Sequence, residues 1–108
     1  MINILNIYSK EFFEEFIKEK SVVKFSADWC GPCNVLSKNI INLNENKVNN
    51  FKFGEINVDD DFAEEITGKF GIRNIPVLVY FNNGKEIKRS IGLKTTEELY
   101  KELNDVDN

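Results

Sequence analysis

Two cysteines, Cys30 and Cys33, stand between a stretch with the composition of a strand and a stretch with the spacing of a helix. The residues from Ser21 to Ala27 are mostly apolar, which predicts a central strand, and Gly31 to Asn46 predicts a helix. A thiol at a helix N-terminus meets free N–H groups and partial positive charge, which lower its pKa. Because Cys33 lies within one helical turn of Cys30, its sulfur can attack a disulfide formed there. The arrangement therefore predicts reversible two-electron exchange at a strand-to-helix junction.

The composition leaves few alternatives for these cysteines. The chain contains 2 Cys and no His, so Ser–His and Cys–His activation of a nucleophile is unavailable, and a zinc site built from Cys and His is not expected. A permanent structural disulfide at this spacing would close a very short loop and constrain the unfolded chain little. Cysteines buried by chance are an alternative for such a pair in general, but the flanking strand and helix favour the redox interpretation. We expect no bound metal.

The charge and hydropathy of the chain restrict its partners. The 108 residues carry 14 Lys and Arg against 18 Asp and Glu, a net charge of −4, so the surface lacks the positive field that binds a nucleic acid backbone. No run reaches the roughly 18 to 20 apolar residues of a membrane span, and Met1 to Tyr8 lacks the basic residues of a targeting segment. We expect one domain over residues 1–108, located in the cytoplasm, with neither nucleic acid nor membrane as a partner.

The remaining periodicities predict the other elements in order. The predicted strands are Ile2–Ile7, Phe51–Val58, Pro76–Phe81 and Lys85–Ile91, and the predicted helices follow Ser9, span Asp60–Phe70 and follow Thr95. Asn83-Gly84 is a hairpin signal, and Thr95 with Glu98 forms a capping box. The resulting order, βαβαβαββα, predicts a mixed sheet with helices on both faces.

The cysteine motif and its surroundings resemble the thioredoxin family over nearly the whole chain. The resemblance is carried by WCGPC at residues 29–33, by the segments Val22–Asp28, Ile56–Asp59, Phe70–Pro76 and Asn83-Gly84, and by Gly92. It implies an α/β thioredoxin fold, in which a five-stranded mixed β-sheet of order 1-3-2-4-5 is flanked by four α-helices.

The resemblance also implies roles for individual residues. Cys30 would be the exposed nucleophile and Cys33 the buried resolving thiol. The peptide bond before Pro76 would be cis and face the cysteines, although a trans proline could simply begin the strand. The motif and a shallow apolar patch that accepts an extended peptide would be formed by Trp29, Gly31, Pro32, Ile75, Pro76, Gly92 and Leu93. Trp29 could alternatively be a packing residue.

By this resemblance the chain would reduce protein disulfides through a mixed disulfide at its Cys30/Cys33 dithiol. It would be a monomer with no bound cofactor, and its partners would be disulfide-containing proteins and a separate flavin-containing thioredoxin reductase that re-reduces it. An oxidase or isomerase of the same fold is one alternative, and a redox-inert module that binds through the apolar patch is another. Gly31-Pro32 between the cysteines and the lack of a targeting segment favour the reductase.

Two positions depart from the family pattern together. The family usually has a buried Asp before the motif, and the chain has Lys24 at that position. The family also usually has a Lys that pairs with this Asp, and the chain has Glu55 at that second position. We expect an ion pair between neighbouring strands, because a lone buried Lys is costly. The hypothesis is that Glu55 transfers a proton toward Cys33, with burial raising its pKa and Lys24 opposing the rise. A purely structural pair is the alternative.

Two further departures concern helices. Lys38 replaces a proline of the family pattern, so we expect the helix after the motif to be straight. The segment from Asp59 to Phe70 is longer than usual, and we expect it to lengthen the third helix.

Overall fold

Five strands form one sheet of order β1-β3-β2-β4-β5 in the computed structural model, which describes residues 1–107. Their ranges are β1 Ile4–Asn6, β2 Ser21–Ser26, β3 Lys52–Asn57, β4 Val77–Asn82 and β5 Lys85–Ile91. β3 pairs in parallel with β1 and β2, whereas β4 pairs antiparallel with β2 and β5. The predicted mixed sheet and its strand order are confirmed.

Four α-helices flank the sheet within residues 1–107: α1 Lys10–Phe16, α2 Gly31–Ile41, α3 Ala63–Phe70 and α4 Thr96–Asp107. Ser9 caps α1 by accepting a hydrogen bond from the Phe12 N–H at 3.1 Å. Before α4, the Thr95 N–H donates to the Glu98 carboxylate at 2.9 Å, and the Glu98 N–H donates to the Thr95 hydroxyl at 3.1 Å. The predicted capping box is therefore confirmed.

Alternation of side chains along the strands divides the core between the two faces of the sheet. One face packs on α1 and α3, and the other packs on α2 and α4. The first cluster includes Phe13, Phe16, Val23, Phe25, Ile56, Ala63, Ile66 and Val79, and the second includes Val22, Leu36, Ile40, Phe53, Leu78, Tyr80, Leu99 and Leu103. Lys24 shares the parity of Val22 along β2, so its side chain lies on the face that α2 and α4 cover.

Two glycines stand where the chain turns sharply or packs closely. Asn83 and Gly84 have φ values of 55° and 79°, as a type I′ hairpin turn requires, and they join β4 to β5 as predicted. Gly54 in β3 leaves room for α1, because a Cβ atom there would lie 2.7 Å from Ile7 Cδ1 and 2.9 Å from the Phe16 ring. Gly84 therefore suits the backbone conformation of the turn, and Gly54 suits the close packing of side chains on β3.

α2 is shorter than predicted. It ends at Ile41 rather than at Asn46, and Leu43 then turns into the core. Asn44 accepts a hydrogen bond from the Asn46 N–H at 2.9 Å and caps a separate 3₁₀ turn, Glu45–Lys47, since Asn side chains compete with helical hydrogen bonds. The helix runs unbroken through Lys38, and its straight axis stays a prediction.

α3 is also shorter than predicted, because it begins at Ala63 rather than at Asp60. The Asn57 side chain accepts a hydrogen bond from the Asp59 N–H at 2.9 Å, and the Asn57 carbonyl accepts one from the Asp60 N–H at 3.1 Å. These bonds hold the segment in a turn. The residues between the end of β3 at Asn57 and the start of α3 at Ala63 therefore form a loop, and the expected lengthening of the third helix relative to the family stays a prediction.

Candidate active site

The two cysteines form a disulfide at the junction of β2 and α2. The Cys30 N–H donates to the Ala27 carbonyl at 3.2 Å, which turns the chain from the strand into the helix. Cys30 occupies the N-cap of α2 and Cys33 lies in its first turn, with 5.3 Å between the two Cα atoms. The Cys33 N–H donates to the Cys30 sulfur at 3.2 Å. The helix N-terminus therefore directs an N–H group at the Cys30 sulfur, the atom that carries the negative charge when Cys30 is a thiolate.

The disulfide is almost completely covered. Cys33 is 0% exposed and Cys30 is 5% exposed, so the expectation of an exposed Cys30 is wrong for this oxidised state. Ala27 and the half-buried side chains of Val58 and Ile75 pack against the cysteines. Of the two cysteines, Cys30 keeps the greater contact with solvent.

Trp29 stands at the surface next to the disulfide, as do Gly31 and Pro32. It is 72% exposed, and its indole N–H donates to the Asp59 carboxylate at 2.8 Å. The interpretation of Trp29 as a packing residue is therefore wrong. Sequence analysis missed Asp59, and the signal that could have found it is the parallel pairing of β2 with β3, which sends the loops after both strands to the same edge of the sheet.

The peptide bond between Ile75 and Pro76 is cis, as predicted. Pro76 is buried just before β4, while Ile75 is half-buried and contacts the cluster that contains the cysteines. The Gly92 N–H donates to the Pro76 carbonyl at 2.9 Å, and the neighbouring Leu93 is exposed. The structure thus brings Ile75 to the disulfide and ties Gly92 to the adjoining proline.

Lys24 and Glu55 form the predicted ion pair. They are register partners on β2 and β3, and Lys24 Nζ lies 2.6 Å from Glu55 Oε1. The Lys24 side chain is 2% exposed, whereas the Glu55 side chain is 36% exposed. The ammonium is therefore removed from water and depends on a carboxylate that still reaches solvent.

Ser26 joins this pair, and sequence analysis missed it. Its hydroxyl donates to the same Glu55 oxygen at 2.7 Å, from the same face of β2 as Lys24. Burial acts to raise the pKa of the Glu55 carboxyl, but the hydrogen bonds from Lys24 and Ser26, with the charge of Lys24, hold that pKa below its ordinary value. The rise expected from burial is outweighed, and Glu55 is a carboxylate at neutral pH.

The cluster of Lys24, Glu55 and Ser26 lies on the sheet face that α2 covers. The residues that directly follow its two strands, Ala27 and Val58, pack against the cysteines. The Val58 N–H also donates to the Ser26 carbonyl at 2.8 Å. Ser26 is thus the member of the cluster that is joined most directly to the residues beneath the disulfide.

Within residues 1–107, no group of three or more His, Cys, Asp or Glu side chains is arranged to hold a metal ion. In the same part of the chain, no helix combines the length and apolar character needed to cross a membrane.

The sequence is similar to those of known thioredoxins. The thioredoxin family model matches residues 3–105. The thioredoxin of Chlamydia caviae is 35% identical over 102 residues, which cover 94% of this chain and 97% of that protein. The thioredoxin of Rickettsia bellii is 33% identical over 101 residues, which cover 92% of this chain and 94% of that protein.

Solved structures share the fold. The thioredoxin from Trypanosoma brucei brucei matches with a TM-score of 0.81 at 26% identity, over 97% of this chain and 91% of that one. A mutant thioredoxin from Halobacterium salinarum matches with a TM-score of 0.84 at 23% identity, over 98% of this chain and 92% of that one. Together with a cysteine pair that forms a disulfide at a helix N-terminus, these matches show that the chain belongs to the thioredoxin family of thiol–disulfide oxidoreductases.

Proposed function

We propose that the reduced chain cleaves disulfides of client proteins by two thiol–disulfide exchanges, first at Cys30 and then at Cys33. The Cys30 thiolate attacks one sulfur of the client disulfide, so a mixed disulfide forms and the other client sulfur leaves as a thiolate. Cys33 then loses its proton and attacks the Cys30 sulfur, so the Cys30–Cys33 disulfide forms and the second client sulfur leaves. Two electrons pass to the client, and its two thiolates take up protons.

The observation that carries this proposal is the hydrogen bond from the Cys33 N–H to the Cys30 sulfur at 3.2 Å. A donor and a helix N-terminus at this sulfur favour the thiolate and hence the first attack. The complete burial of Cys33 keeps it away from clients and leaves the neighbouring sulfur as its target.

Alkylation of the reduced chain near neutral pH tests the two roles. We expect iodoacetamide to modify Cys30 rapidly and Cys33 slowly, with mass spectrometry of peptides reporting the site. An unreactive Cys30 would contradict the proposal and favour a redox-inert binding module.

Glu55 is proposed to accept the proton that Cys33 loses, and Lys24 to hold the carboxylate in place. The ion pair lies on the sheet face beneath α2, and a carboxylate that is ionised at neutral pH is in the state that a proton acceptor needs. We expect Glu55→Gln to slow thiol exchange at neutral pH and to recover at alkaline pH, where Cys33 ionises unaided. A rate and pH profile equal to those of the wild type would leave only a structural pair.

The client peptide is proposed to lie across Trp29, Ile75 and Gly92. Exposed Trp29, half-buried Ile75 and exposed Leu93 supply apolar surface beside a disulfide that is itself nearly covered. Pro76 has no N–H group, which leaves the backbone of Ile75 for pairing with an extended client segment.

A separate flavin-containing thioredoxin reductase is proposed as the source of electrons. The chain itself is proposed to be a monomer in the cytoplasm, with a single domain over residues 1–108 and no bound cofactor. Family membership supports this partner. Turnover with pyridine-nucleotide-linked and ferredoxin-linked reductases, measured together with the reduction potential, tests it. A strongly oxidising potential would reverse the direction and favour an oxidase.

A further inference from the structure

Ser26 has a buried hydroxyl at the end of β2, and neither of the two thiol–disulfide exchanges assigns it a role. It is 4% exposed, and its hydroxyl donates to Glu55 Oε1 at 2.7 Å. Its carbonyl accepts the Val58 N–H at 2.8 Å. The residue therefore links the carboxylate to the strand ends on which the cysteines rest.

The Glu55 oxygen is held from two sides. Lys24 Nζ contacts it at 2.6 Å from the interior of β2, and the Ser26 hydroxyl contacts it from the last residue of that strand. Lys24 alone would leave the carboxylate free to pivot about a single flexible ammonium, because the Glu55 side chain is 36% exposed. The second bond fixes the carboxylate at the strand end that leads to Ala27 and the cysteines.

We propose that Ser26 is a positioning residue for the second exchange, in which its hydroxyl holds the Glu55 carboxylate at the cysteine end of the ion pair. This inference rests on the proposed function. As the Cys33 sulfur bonds to the Cys30 sulfur and the client sulfur leaves, the Cys33 proton passes to Glu55. A hydroxyl both donates and accepts hydrogen bonds, so Ser26 stays bonded to Glu55 before and after the proton arrives.

The test compares Ser26→Ala and Ser26→Thr with a matched control, Ser21→Ala. Ser21 is a buried serine at the opposite end of β2 whose hydroxyl donates to the Glu19 carbonyl at 3.0 Å. Reduction of insulin disulfides by each fully reduced chain is followed in single turnover from about pH 6 to about pH 9, the range in which thiols ionise.

We expect Ser26→Ala to be slower by about tenfold at the acidic end and to approach the wild-type rate at the alkaline end, where Cys33 loses its proton to solvent. Ser26→Thr keeps the hydroxyl, and Ser21→Ala leaves the site intact, so both should follow the wild-type profile. In a Glu55→Gln background, Ser26→Ala should add no further loss, because the base that it positions is already gone.

Three results would overturn the role of Ser26: a wild-type rate for Ser26→Ala, a loss that is equal at every pH, or a loss that persists in the Glu55→Gln background. The last two are also what a merely destabilised variant would give. A wild-type chain that fails to reduce insulin would instead contradict the proposed function itself.

Discussion

Lys24 carries its charge into the interior of the sheet. On β3 its register partner is Glu55, whereas on β4 its partner is the apolar Leu78, so compensation comes from one side. The two halves of the pair are unequal, because the Lys24 side chain is 2% exposed and that of Glu55 is 36% exposed. Removal of Glu55 and removal of Lys24 should therefore change the free energy of unfolding by different amounts.

Glu55→Ala is expected to destabilise the chain by about 3 kcal/mol, because it leaves the buried ammonium without its counter-charge. Lys24→Met should cost less than about 1 kcal/mol, since Met suits the apolar surroundings and water can still reach Glu55. Urea unfolding of the oxidised chains measures both changes. Equal losses for the two variants would contradict the asymmetry.

The same carboxyl predicts a pH dependence of stability. The folded pKa of Glu55 lies below its ordinary value, so its contribution is fully present above the unfolded pKa of about 4.3 and is lost as the pH falls through the folded value. We expect the free energy of unfolding of the wild type to exceed that of Glu55→Gln by an amount that shrinks below about pH 4. Urea titrations at a series of pH values test this, and a constant difference would argue against it.

Among the secondary-structure elements, α2 begins at an atom, the Cys30 sulfur, that has both a structural and a chemical role. The Cys30 sulfur accepts the Cys33 N–H, a task that Ser, Thr, Asp or Asn usually performs at a helix N-cap. Pro32 stands in the first turn, where no N–H donor is needed. The reacting sulfur is therefore also the group that caps the helix.

The cap of α4 gives a prediction for a helix without chemistry. Thr95→Ala removes the hydroxyl that accepts the Glu98 N–H at 3.1 Å, and we expect it to destabilise the chain by about 1 kcal/mol. Thr96→Ala, at the first position of the helix, is the control. Thermal or urea unfolding separates the two, and a similar loss in the control would remove the cap as the cause.

Across the whole molecule, a polar network fixes α4 on the face that also carries α2. The hydroxyls of Tyr80 and Ser90 donate to the two oxygens of Glu102 at 2.9 and 2.7 Å. Burial, followed by the charge and hydrogen bond of Glu102, raises the pKa of Tyr80, so its hydroxyl remains a donor. The sheet beneath the active site is thus held by the helix next to α2 as well as by α2 itself.

Much of the fold could be predicted because it follows from local patterns. The hairpin at Asn83-Gly84 and the capping box at Thr95 depend on neighbouring residues, and the structure has both. The ends of α2 and α3 could not be predicted, because side-chain bonds of Asn44 and Asn57 compete there with the helical pattern.

Some contacts of the active site could likewise be predicted from the sequence, and others could not. The Lys24–Glu55 pair could be predicted from its exchange of charges and the expected pairing of β2 with β3. Ser26 and Asp59 escaped sequence analysis because their roles depend on partners 29 and 30 residues away in the chain. Only the register of β2 against β3 and the meeting of their loops bring those partners together.

Trapping of the mixed disulfide tests whether Cys30 is the attacking cysteine and Cys33 the resolving one. Cys33→Ser leaves Cys30 as the one cysteine of the chain, so attack on a client protein with a single accessible disulfide should stop at a covalent adduct. We predict a 1:1 adduct at Cys30 by intact mass that excess thiol releases, and little adduct for Cys30→Ser. Equal trapping by Cys30→Ser, or no adduct with Cys33→Ser, would contradict the account.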